Sequence, residues 1–156
     1  MTKELIDELI SISREKNRLI DEIHEFTKAQ KEEIHKEDMD SLNTILDKKD
    51  QVIKEIDKLD ISFLTIFSQI KKEEGIENID ELDKDIYPNL KELKGIVKEI
   101  SSSLMAISLL DDENNKAMKK KLDKTKMELR KIKDGKRAYK GYNNTIVGSM
   151  LIDEKK

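Results

Sequence analysis

The chain has 156 residues, 42% charged and 36% hydrophobic, with three Phe, three Tyr and no Trp; that suffices for one domain but is too polar for a thick globular core. One proline, five glycines and abundant Lys, Glu, Leu and Ile favour long helices over strands, and the lack of cysteine excludes disulfides, a thiol nucleophile and a thiolate metal site. The net charge of −3 conceals an asymmetry: residues 1–115 carry 17 basic and 29 acidic side chains, a balance of −12, whereas residues 116–140 carry twelve basic and three acidic ones, a balance of +9.

The opening MTKELIDELI has neither a basic leader region nor a long apolar run, and nowhere do eighteen apolar residues follow one another. The expectation is a soluble cytoplasmic protein with no stable membrane insertion. From Leu5 the residues Leu9, Ile12, Leu19, Ile23 and Phe26 keep a heptad-like spacing, which predicts a first helix over residues 3–36. In the polar stretch KEDMDS, either Asp38 or Asp40 can cap the next helix. That second helix, over 39–73, is marked by Leu42, Ile45, Ile56, Phe63 and Ile70, and Gly75 stands where a left-handed C-terminal cap belongs. The two should form an antiparallel hairpin.

Residues 76–87 read as a loop with room for one short helical turn, and Pro88 suits the first turn of a third helix over 88–134. Leu90, Leu93, Val97, Ile100, Leu104, Ile107, Met118, Leu122, Leu129 and Ile132 mark this helix, and Gly135 is its expected end. Its stripe turns polar at Asp111 and Asn114, either as a register device or where the helix rotates outward. The fold class is all-α: an elongated antiparallel three-helix bundle, that is, a coiled-coil hairpin plus a long C-terminal helix, with a single domain over 1–135 and a flexible tail over 136–156.

At 1.5 Å per residue the first two helices are about 50 Å long and the third about 70 Å, an overhang of about twelve residues. In an up-down-up arrangement the overhang is the basic segment around residues 122–134, whose Leu122, Leu129 and Ile132 lack partners. Each such side chain left in water forgoes about 1.5–3 kcal/mol of burial, so the stripe calls for a second copy, the tail or another protein. Another protein is favoured.

Asp21 and His24, and Glu32 and His35, have the carboxylate-x-x-His spacing of di-iron bundles, but both pairs fall on one helix beside the apolar stripe. No metal site, cofactor site or catalytic set follows from them, and no phosphate-binding loop or nucleophile elbow is present in the sequence. The alternative is a helical nucleic-acid-binding or self-associating coiled-coil adaptor using the basic segment 116–140. The acidic remainder would repel a polyanion passing along the bundle, and only Tyr139 and Tyr142 could offer stacking.

The stretches KEDMDSLNTILDKKDQVIKEID and LLDDENNKAMKKKLDKTKMELRKIKDGKRAYKGY, with the closing GSMLIDEKK, resemble the FlgN family of flagellar export chaperones. The likeness covers nearly the whole chain and is strongest at the tyrosine-bearing exit and the LIDEKK ending. It implies a cytosolic, non-enzymatic chaperone for the hook–filament junction proteins FlgK and FlgL, consuming no nucleotide and delivering its client to the export gate protein FlhA. On this reading a client helix lies against Met118, Leu122, Leu129 and Ile132, with Lys119, Lys126, Arg130 and Lys133 at the rim complementing acidic residues. Tyr139 or Tyr142 is the candidate for gate docking, and a homodimer of the client-free chain stays open.

Overall fold

The computed structural model describes residues 1–146, with side chains through Tyr139. The described residues form α1 (Thr2–Lys36), α2 (Met39–Glu74), one 3₁₀ turn (Ile79–Glu81) and α3 (Leu90–Ile146), with no strand among them. The fold is all-α, as the apolar periodicity requires. The chain divides into two units, Met1–Asn114 and Asn115–Lys156.

Local chemistry sets the element ends. Of the two candidate caps for α2, Asp38 is the one used: its carboxylate accepts the Ser41 amide at 3.1 Å and the Ser41 hydroxyl at 2.9 Å. Gly75 closes α2 in the left-handed conformation, φ 63°, where the missing Cβ removes the usual penalty. At the end of α1 the left-handed position falls on Glu37, φ 60°, whose amide donates to the Ile34 carbonyl at 3.2 Å; no glycine announced that turn. In the connector, Glu81 reaches back to accept the Glu77 and Asn78 amides, both at 2.7 Å. Pro88 lies just before α3 rather than in its first turn. The Leu90 amide donates to the Tyr87 carbonyl at 3.1 Å, so Pro88 occupies the second position of a tight turn that its fixed φ favours.

Within the first unit, side-chain pairs fix the directions of the helices. Thr2 donates to Glu74, Lys16 to Asp60 and Lys49 to Gln30, so residue numbers fall along α2 as they rise along α1, an antiparallel hairpin. Asn89 donates to Asp7, Arg14 pairs with Glu92, and Lys31 with Glu113; the first part of α3 therefore runs parallel to α1.

Two apolar clusters hold these helices together. One gathers Leu5, Ile6, Leu9 and Ile10 of α1 with Ile70, Leu82, Leu90 and Leu93, and Phe63 and Phe67 pack against it only partly buried. The other joins Leu19, Ile20, Ile23, Ile56, Ile100 and Ile107. The expected stripe of the third helix proves to be two rows: Leu93, Ile100 and Ile107, seven apart, are buried, whereas Val97 and Leu104 are exposed.

Past Ile107 the buried row becomes polar. Asn114 is 1% exposed, and its side-chain amide donates to the Thr27 carbonyl at 3.1 Å. Lys49 bridges Gln30 and Asp111 at 3.3 and 2.8 Å. Asn114 thus continues the row of Leu93, Ile100 and Ile107, so of the two readings of this polar break a packed layer holds in place of a rotation at this point. The side-chain oxygen of Asn114 is buried without a partner.

The third helix continues through Gly135, its expected end, to Ile146. A glycine weakens a helix by about 1 kcal/mol without ending it, and Lys136, Arg137 and Ala138 behind it are good helix formers. Residues 136–146, expected within the tail, are therefore helical, and the remainder of that tail, 147–156, lies outside the described residues.

Candidate functional site

Residues 115–139 of α3 combine strong helix formers, chiefly Lys, Leu, Met, Arg and Ala, with no proline and few β-branched residues. At 3.6 residues per turn, Met118, Leu122, Leu129 and Ile132, spaced by four, seven and three, share one face with Thr125. Leu122 is 53% exposed, and Leu129 and Ile132 are each 60% exposed; Met118 is half-buried. The structure thus brings all four expected apolar residues onto one face and leaves three of them open. Met127, 59% exposed, lies on the opposite face by the same spacing.

Lys119, Lys126, Arg130 and Lys133 are all exposed beside that face. No carboxylate among the described residues pairs with them, although ion pairs cross the helices of the first unit repeatedly, as at Arg14–Glu92 and Lys31–Glu113. A row of unneutralised cations edging bare leucines is suited to a partner that is both apolar and anionic. Arg137 was not among the expected residues. It follows Lys133 by four and is exposed on the helix, but its place in the row depends on α3 continuing past Gly135.

Tyr139 stands on α3, 69% exposed. Tyr142 lies within the helix, and its side chain is outside the described residues.

Elsewhere the surface offers little for chemistry. A shallow cleft between α1 and α3 is lined by Asp7, Arg14, Arg18 and Glu92, and its ions are taken up in the Arg14–Glu92 and Arg18–Glu15 pairs. Among the described residues no group of three or more His, Asp or Glu side chains is placed to hold a metal ion. No described helix is long and apolar enough to cross a membrane.

A family model described as FlgN protein matches residues 1–146. No curated protein and no solved structure matches the chain.

Proposed function

We propose, since the chain belongs to the FlgN family of flagellar export chaperones, that it binds the C-terminal helical segments of the hook–filament junction proteins FlgK and FlgL. Members of this family bind flagellar hook-associated proteins and are not enzymes. The chain would act in the cytoplasm, hold its client before assembly and deliver it to the export gate protein FlhA. The observation that carries the reading is the exposed row Leu122, Leu129 and Ile132 inside the most basic segment of the chain. A client helix laid on Met118, Leu122, Leu129 and Ile132 removes that surface from water, while Lys119, Lys126, Arg130 and Lys133 accelerate encounter and exclude basic partners. Tyr139 and Tyr142 are the residues proposed for docking on the gate.

Calorimetric titration of the full-length chain with C-terminal segments of the organism's FlgK and FlgL tests the proposal. The intact chain should bind at least one of them, and Leu122→Asp with Leu129→Asp should abolish binding. Each change forfeits about 1.5–3 kcal/mol of interface burial, yet both positions are exposed in the free chain, so melting of the double variant should match that of the parent. Absence of binding by the intact chain would overturn the reading.

A further inference from the structure

Within the first unit, two partly exposed apolar rows face each other across a groove between α2 and α3. Asp60 and Phe63 of α2 and Val97 of α3 line one cleft there, over Ile12 of α1. The two helices run antiparallel, so seven residues back along α2 and seven forward along α3 come Ile53 and Leu104, and seven further Leu46 and Asp111. Val97 and Leu104 are 42% and 45% exposed, and Leu46 and Ile53 are each 39% exposed. The ions inside the groove neutralise one another, Lys16 with Asp60 at 2.6 Å and Lys49 with Asp111 at 2.8 Å. Beside Leu46 and Ile53, the carboxylates of Asp50 and Asp57 are exposed and form no ion pair among the described residues. Lys54 stands between them in sequence and pairs with neither.

A helix laid in this groove would add a fourth member to the bundle, and it should carry an apolar stripe edged by cations. The chain itself has such a helix. The groove from Val97 to Asp111 and the stripe from Met118 to Ile132 each span fourteen residues, about 21 Å. Asp50 and Asp57 are seven apart, as are Lys126 and Lys133 beside that stripe. Residues 1–115 carry −12 and residues 116–140 carry +9, so the segment is attracted to the first unit of another copy, whereas two such segments laid on each other repel. We infer that the chain without other partners forms a reciprocal dimer, in which the basic segment of each copy lies in the α2–α3 groove of the other. Leu122, Leu129 and Ile132 then leave water against Ile53, Val97 and Leu104, and lysines of the segment reach Asp50 and Asp57. The contact is made twice about a twofold axis. On the chaperone reading a client displaces the second copy, since both use the same stripe; the dimer itself does not depend on that reading.

Sedimentation equilibrium of the full-length chain and of two charge-reversed variants tests this. Asp50→Lys with Asp57→Lys reverses the groove, and Lys126→Glu with Lys133→Glu reverses the segment. The parent should be a dimer that loosens as salt is added. Each variant alone should have a dissociation constant raised about tenfold or more at low ionic strength. An equimolar mixture of the two should recover a heterodimer of nearly parental affinity, because each reversed surface then meets an opposite one. If circular dichroism shows lost helix in a reversed variant, Asn at 50 and 57 or Gln at 126 and 133 replaces it, and each pair must still weaken the dimer. A parent that stays monomeric at every concentration, a dimer that either pair leaves intact, or folded reversed variants that fail to reassociate on mixing would overturn the inference. A chain that dimerises in this way yet binds neither the FlgK nor the FlgL segment would leave it standing and overturn the chaperone reading.

Discussion

Asn114→Leu should make the protein more stable and its packing less unique. The parent side chain gives one hydrogen bond to the Thr27 carbonyl, a net contribution of about 0.5–1.5 kcal/mol, and leaves its own oxygen buried and unpaired, at a cost of about 1–3 kcal/mol. Thr27 lies in the interior of α1, so its carbonyl keeps its helical partner when the asparagine is removed. Leucine has the same branching but is bulkier, so the apolar burial it adds works against about 1–3 kcal/mol of overpacking in this layer. The expected net gain is at most about 1–2 kcal/mol in urea unfolding. Specificity should fall at the same time, because Leu93, Ile100, Ile107 and Leu at 114 would form an unbroken row repeating every seven residues, and a slip of one heptad would then place apolar on apolar. With no native cysteine, the register can be read by crosslinking Asn17→Cys to Glu99→Cys, whose parent side chains meet at 3.3 Å. A second pair, Asn17→Cys with Ala106→Cys, reports the slipped register. The parent should crosslink only through the first pair and the Leu variant through both. A Leu variant less stable than the parent, or one that crosslinks only in register, would refute the assignment of this layer as a register lock.

Acid should destabilise the first unit partly through Glu74, which accepts hydrogen bonds from the Thr2 and Tyr87 hydroxyls, each at 2.6 Å, bonds that hold its carboxyl below the usual carboxylate range. The contribution is complete at neutral pH and disappears as pH falls through the unfolded and then the folded value, from about pH 5 downward; Glu74→Gln should therefore show a flatter urea midpoint between neutral and acid pH, and an unchanged slope would refute the account. Gly75→Ala should cost about 1 kcal/mol through its left-handed backbone alone, since a Cβ there meets nothing within 4 Å. Gly135→Ala, equally open but inside α3, should add helical signal in circular dichroism and slow amide exchange around it by a factor corresponding to as much as about 1 kcal/mol; lost helix there would contradict the continuity of α3.

The hairpin was legible because its determinants are local. The stripe from Leu5 to Phe26, the capping chemistry around Asp38 and the glycine at 75 each specify a neighbouring few residues, and the bounds of α1 and α2 agree within a residue or so. The seam of α3 was not legible to the same degree. Val97 and Leu104 satisfy the same periodic rule as Ile100 and Ile107, and only packing against two other helices, which no local spacing encodes, leaves the first pair in water and buries the second. Asn114 shows the converse: a polar residue on an apolar row is ambiguous until a facing carbonyl, here that of Thr27, gives it a reason to be buried. The left-handed Glu37 had no sequence signal at all, since a turn can impose that conformation on a residue with no preference for it.

Two glycines explain why the basic face was visible in the sequence but cut short. Gly75 ends α2 because the connector beyond it supplies an alternative to helix: Glu81 satisfies the amides of Glu77 and Asn78, and the chain turns away from the helix axis there. Gly135 is succeeded by Lys136, Arg137 and Ala138, which offer the backbone no competing partner and favour helix. The same residue type therefore stops one helix and is carried through another, and the outcome is decided by the residues behind it. Reading Gly135 as a stop confined the cation row to Lys133; with α3 intact, Arg137 falls four residues on and extends the row by one more turn.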